Sequence, residues 1–261
     1  MKKLIRTVGY IQNISKGNES AASQMSHLIV GVFGGLPDYA VSLRVAVAFY
    51  ISCILEVPSG VVADIIGHAR SMVYGCICYS LACVFIIFAV LATNDFGSLL
   101  LVVFSSVLSA FGGALSSGSF QALIQDLIDK EAALMPAGER RNVKIRTLSL
   151  SQGHGAFIAT FFPIIIMAAL VFWGKYWEGA EFFLLIPAMT FMGFAFYFYR
   201  LGPATGVLVA RNKLQKSWEL YFSELNNLKV WFALGALNKR VYLYGFSFLM
   251  ISNFFFIASL L

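Results

Sequence analysis

Three sets of side chains in this 261-residue chain have the type and spacing to do chemistry. The first is ionisable and surrounds one break between apolar runs. It comprises Glu56, Asp64 and Arg70 within Leu55–Arg70 (LEVPSGVVADIIGHAR), joined by Asp126 at the close of a later apolar run. Ionisable groups at the end of a membrane helix are rarely idle, and opposite charges there can latch one arrangement of helices and release another. The plain alternative is an exposed salt bridge that contributes about 0–1 kcal/mol and gates nothing. The second set is polar and embedded in apolar runs: His27, Gln121, Gln125, Gln152 and His154. An imidazole inside a bundle titrates near neutral pH and can pass a proton on, or it stays neutral and hydrogen-bonds a neighbouring helix. The glutamines either line a polar cavity or tie helices together. The third set, Cys53, Cys76, Cys78 and Cys83, lies wholly in apolar runs, where small sulfur side chains serve packing. Cys76 and Cys78 point to different helix faces with no His or carboxylate beside them, so neither a metal nor another cofactor is expected. Nor is an enzyme expected. There is no Ser-His-Asp set in usable context, no Gly-rich loop after a strand, and Gly153-His154-Gly155 is too short to carry a reaction.

The elements that must position these residues follow from composition. Hydrophobic residues make up 59% of the chain and charged residues 12%, whereas soluble domains are about a quarter charged. That excludes a soluble globular domain and predicts an all-α integral membrane protein, in which about 20 apolar residues cross roughly 30 Å of hydrocarbon. Residues 1–19 read as a basic, polar, cytoplasmic leader without the apolar core of a cleavable signal. A six-helix transmembrane bundle is expected over 20–200. Its first span extends from the apolar Leu28–Pro37 back through Ser23, Gln24 and His27, and the others cover about 41–62, 71–92, 97–125, 147–173 and 180–199. Short outer turns fall at 93–96 and 174–179, and a charged loop at 126–146. Residues 201–240 form a basic linker in which Leu214, Trp218, Tyr221, Leu225, Leu228 and Phe232 recur at steps of three and four. That is an amphipathic helix for the headgroup layer. Residues 241–261 open a seventh span, and the chain is expected to be truncated there.

Local spacing refines this layout. Pro58, Gly60 and Gly67 are expected to break the helix after the second span. Gly60 would let two helices approach, and Gly67 would supply the position that reverses the chain. In the fourth span, Gly113 with Ser117 and Ala114 with Gly118 have the spacing of small residues at close helix contacts. Of the 19 Lys and Arg, 17 fall in the leader and the loops on one side, leaving only Arg44 and Lys175 on the other. This asymmetry predicts a multi-pass protein of the inner membrane with a cytoplasmic N-terminus. It also turns the net charge of +6 away from nucleic acid and toward anionic membrane lipid. Arg44 and Asp38, at the outer end of the second span, are expected to pair with each other or with headgroups.

Leu55–Arg70 resembles the loop between the second and third helices of the major facilitator superfamily, whose pattern is Gly-x-x-x-Asp-Arg-x-Gly-Arg-Arg. Gly60, Asp64 and Gly67 fall in register, and Glu56-Val57-Pro58-Ser59 resembles the Glu-(Ile/Val)-Pro-(Thr/Ser)-Gly lead-in of one branch. Ile65 stands in place of the first Arg, His68 and Ala69 in place of the Arg pair, and Arg70 is one place late. The small-residue run ending Ala122-Leu123-Ile124-Gln125-Asp126 is similar to the end of the fourth helix in the same branch. The resemblance implies the first half of a transporter, with a missing C-terminal half as partner, moving a small-molecule substrate by alternating access with protons as the coupling ion. It also implies a charge relay of Asp64, Arg70 and Asp126 that holds the two halves together in the outward-facing state. The fifth-helix run of proton-coupled drug exporters, Gly-x-x-x-Gly-Pro-x-x-Gly-Gly, is absent: the region reads Gln152-Gly153-His154-Gly155-Ala156-Phe157. The alternative is a truncated or degenerate membrane protein that transports nothing, or a half-bundle acting only in assembly.

Overall fold

The computed structural model describes residues 2–33, 36–37, 39–133, 164–165, 168–169, 172 and 179–205. The described residues all lie within one compact unit. They are almost all helical, without a strand. Helix α1 spans Lys2–Leu28 and runs into a π turn at Ile29–Phe33. It is followed by α2 (Tyr39–Ile66), α3 (His68–Leu91) and α4 (Asp95–Ala133). A 3-10 turn at Ala180–Leu184 then leads directly into α5 (Leu185–Thr205). Three stretches are long and apolar enough to cross a membrane: His68–Leu91, Asp95–Asp129 and Ala180–Leu201. They point to a membrane protein and coincide with the third, fourth and sixth spans expected from the sequence. In α2 a shorter apolar stretch covers Tyr39–Ser52. Most of the expected fifth span, with Gln152 and His154, most of the linker, the seventh span, and Asp38 lie outside the described residues.

The first helix departs from expectation. No helix boundary separates a leader from a span near residue 19, because α1 is continuous from Lys2. Its buried stripe runs Val8, Ser15, Asn18, Ala22, Met25 and Ile29, with Ile11 packed against the core. These positions step by three and four, the repeat that keeps one helix face against its neighbours. Asn18 is tolerated in the stripe because its side chain reaches another helix. The Asn18 side-chain amide donates to the Pro187 carbonyl on α5 at 3.0 Å. A polar residue that bonds across a helix interface stays buried where composition alone would place it in water.

The break between α2 and α3 is sharper than expected. Helix α2 continues through Pro58 and Gly60 and ends only at Ile66. Proline removes a single backbone donor from the ladder, and neighbouring helices in a bundle can stabilise the helix around it. Gly67 alone separates the two helices. Its φ of 91° lies in the region favourable to glycine. Its N–H donates to the Ala63 carbonyl at 2.9 Å, closing α2, and its carbonyl accepts from the Ser71 N–H at 3.0 Å, opening α3. Gly60 does not mediate a close approach, since a Cβ placed there meets nothing within 4 Å.

Helices α3 and α4 form the centre of the described bundle. Beyond the turn at Thr93–Asn94, the Asn94 side chain accepts from the Phe96 N–H at 3.1 Å and caps α4. The two helices then pack antiparallel. The Ser105 hydroxyl donates to the Ala82 carbonyl and the Ser71 hydroxyl to the Leu115 carbonyl, both at 2.8 Å. Between these two bonds, Gly75 faces Gly112 so closely that a Cβ on Gly112 would lie 3.0 Å from the Gly75 carbonyl oxygen. Helix α5 packs on the other side of α3, burying Leu184 of the preceding turn with Ala188, Phe191, Ala195 and Phe198. Helix α2 packs on α4, and α1 on α5. At 39 residues, α4 is about 58 Å long. It carries the expected fourth span and then continues through Asp126 and Asp129 to Ala133, where the sequence predicts a charged loop.

Candidate functional site

Tyr79, on α3, connects three other helices of the described bundle. Its ring stacks on Phe191 of α5, with centroids 4.9 Å apart and planes 15° from parallel. On the α4 side it meets two glycines. A Cβ on Gly112 would come within 3.0 Å of the ring, and one on Gly113 within 3.1 Å of the hydroxyl oxygen. The phenol is thus held in a slot of α4 that any larger residue would fill. From that slot its hydroxyl donates to the carboxylate of Glu19, on α1. Glu19 is part-buried, and Lys16, one turn earlier on α1, adds a positive field. Asn18 lies beside it, tied to α5. The bond thus joins α1 to α3, and the tyrosine that makes it is wedged between Phe191 of α5 and the glycines of α4.

A second polar cluster lies further along α1. Arg44 of α2 is buried, and its Nη1 donates to the Ser23 carbonyl at 3.4 Å. His27, one turn beyond Ser23, and Cys83, one turn beyond Tyr79, are both within electrostatic range of the guanidinium. The sequence predicts Arg44 at the outer edge of its span, paired with Asp38 or with headgroups. It is buried between α1 and α3 and donates to a backbone carbonyl, while Asp38 lies outside the described residues. His27, expected as a cavity residue, does come to this cluster.

Around the α2–α3 break, the described side chains of the expected relay are those of Arg70 and Asp126. Asp126 on α4 brings its carboxylate to 4.0 Å from His68 Nε2, with side chains 44% and 18% exposed respectively. Arg70 is exposed, and the side chains of Glu56 and Asp64 are outside the described ones. Beside His68 a cavity of about 190 Å³ opens between α2 and α4, walled by Ser59, Gly60, Ala63, Ser117 and Gly118. Gly60 and Gly67 therefore have separate tasks: one leaves a cavity wall open and the other turns the chain. Gln121 and Gln125 lie on the exposed face of α4 rather than in this cavity. The Gln125 amide donates to Asp129 along its own helix at 3.1 Å. Cys76 and Cys83 are buried packing residues, and no group of three metal-ligating side chains exists among the described residues.

Glu19 and Tyr79 escape a reading of the sequence. Glu19 stands among Asn18, Ser20 and Lys16, a neighbourhood that composition assigns to solvent. The signal that could have found it is the step of three and four linking Ser15, Asn18, Ala22 and Met25, which continues the apolar stripe backward into polar sequence. Nothing in the sequence marks Tyr79 among its apolar neighbours. No protein-family model, curated protein or solved structure matches the chain.

Proposed function

We propose that this chain forms a helical bundle of a secondary active transporter of the major facilitator type. In this reading it moves a small solute by alternating access, coupled to protons, in the inner membrane with its N-terminus in the cytoplasm. The observation that carries the reading is the Glu19 carboxyl held by the Tyr79 hydroxyl between helices. An ionisable group at bundle depth is costly, and it is retained where it moves a proton or binds a charge. A phenol donor favours the carboxylate anion, whereas enclosure among helices favours the neutral acid. Rearrangement of the helices around it changes its exposure, and with it the balance between the charged and neutral forms. That is the requirement for coupling proton uptake to helix movement. The 190 Å³ cavity between α2 and α4 and the close glycine contact of α3 on α4 suit a bundle with one rigid pair and one looser flank. Glu56, Asp64, Arg70 and Asp126 are proposed to gate at the α2–α3 end.

The test is transport by the purified protein in proteoliposomes, using a panel of radiolabelled small solutes with and without an imposed pH gradient. Glu19→Gln is expected to abolish gradient-driven accumulation while leaving solute exchange in place, because the amide keeps a hydrogen-bond acceptor but cannot ionise. Accumulation by Glu19→Gln equal to that of the unmodified protein would remove the coupling role. Absence of gradient-driven flux for every solute with the unmodified protein would remove the transporter reading itself.

A further inference from the structure

The cavity between α2 and α4 shares no residue with the Glu19–Tyr79 pair. Protein interiors pack to the density of organic crystals, so a space of about 190 Å³ has a cause in the residues around it. Here the cause is a pair of glycines. Gly60 of α2 and Gly118 of α4 both line the space, and a Cβ on either would meet nothing within 4 Å. Glycine inside a helix is less favourable than alanine. Neither of these two is required by a close helix contact or by a positive φ. What both preserve is the opening.

The walls decide what fits. Ala63 and Ala114 supply a carbon surface. The polar groups are His68, at the start of α3, and Ser119, which is buried and makes no hydrogen bond to a described residue. The Asp126 carboxylate faces the His68 ring from 4.0 Å. A hydroxyl and a neutral imidazole can each donate and accept, and a ligand hydroxyl does the same. A dry cavity of about 150 Å³ holds one benzene ring, and this space is somewhat larger with a polar corner. We infer that the α2–α4 cavity is a binding site for a small neutral alcohol about one aromatic ring in size. Its hydroxyl is met by His68 and Ser119, and its carbon frame lies against the alanines and the two glycines. The inference goes beyond the transporter reading and does not rest on it.

The probe is para-fluorobenzyl alcohol, followed by fluorine NMR with the purified chain in detergent. Its line broadening is expected to contain a saturable part that benzyl alcohol displaces, which separates a site from partition into micelles. para-Fluorotoluene lacks the hydroxyl, and para-fluorobenzoate and para-fluorobenzylamine would bring a charge against carbon walls. All three are expected to bind about tenfold more weakly or worse. Gly60→Ala combined with Gly118→Ala puts two methyl groups into open space. That variant is expected to fold and to weaken binding about tenfold or more. Ser119→Ala and His68→Gln are each expected to weaken it about tenfold. Should His68→Gln not fold, Ser119→Ala and the glycine pair carry the comparison. No saturable part with the unmodified protein, the result if water alone enters the cavity, overturns the inference. Undiminished binding in the glycine variant, which would put the site elsewhere, does so too. Undiminished binding in Ser119→Ala and in a folded His68→Gln, or equal binding of para-fluorotoluene, overturns recognition of the hydroxyl. Tighter binding of either charged analogue overturns the neutral class.

Discussion

At the scale of single residues, the chemistry of the bundle rests on a pair that sequence order keeps sixty positions apart. The Tyr79 hydroxyl is the donor for Glu19, while the Tyr79 ring independently stacks on Phe191. Phenylalanine at position 79 keeps the stacking and removes only the hydroxyl, so Tyr79→Phe isolates the bond. It leaves a part-buried carboxyl without that donor, and the expected loss is about 1–3 kcal/mol. Chemical unfolding in detergent checks this, and a variant that unfolds with the unmodified protein would show that the bond contributes nothing to stability. The pair also shows why residue types alone mislead. Histidines and glutamines inside apolar runs are conspicuous in the sequence, yet Gln121 and Gln125 lie on an exposed face. Glu19 is inconspicuous and is enclosed. A side chain's surroundings are set by what faces it across the bundle, and its neighbours in sequence do not report that.

At the scale of helices, the packing of α3 on α4 turns on which glycine meets which backbone. A run of small residues from Ala110 to Ser119 makes close contact legible as a property of the helix. The position of that contact is not legible. The sequence favours Gly113 with Ser117 and Ala114 with Gly118, whereas the tightest approach is Gly112 against Gly75 and the Tyr79 ring. Gly112→Ala drives a methyl to 3.0 Å from a backbone oxygen and from the ring, and is expected to cost about 1–3 kcal/mol through overpacking. At Gly118 an added methyl would meet nothing within 4 Å. There alanine is expected to be neutral or stabilising by about 0.5–1 kcal/mol, through the helix preference that glycine lacks. Equal midpoints for the two variants in parallel thermal melts would contradict this assignment of the contact. Gly67 and Gly60 differ in a related way. Only the former has a backbone conformation that requires glycine, although both match one motif.

At the scale of the molecule, the bundle has a direction that can be measured. With 24 residues, α3 is about 36 Å long, enough to put its two ends on opposite faces of a bilayer. In a protein whose native cysteines are replaced, the single variants Asn94→Cys and Arg70→Cys are therefore expected to react with impermeant maleimide from opposite sides. The basic-residue asymmetry orients them: position 94 is expected to label in intact cells, and position 70 only after the inner face is opened. Labelling of both positions from one side would show that α3 does not cross, and the reverse pattern would invert the topology.

What the sequence determined by itself was the helical, membrane-embedded character of the chain, the ends of α3 and the start of α4, and glycine as the hinge at position 67. These follow from composition, apolar run length and backbone freedom, which are local properties. The tertiary structure decided that α1 begins at Lys2 and buries Ser15 and Asn18, that Arg44 is enclosed, and that Asp126 faces His68. Each of these depends on a partner supplied by another helix. Asn18 is buried because the Pro187 carbonyl accepts its hydrogen bond, and Glu19 is held inside because the Tyr79 hydroxyl binds it. A polar side chain's cost of leaving water is offset by a contact that exists only after the helices have come together.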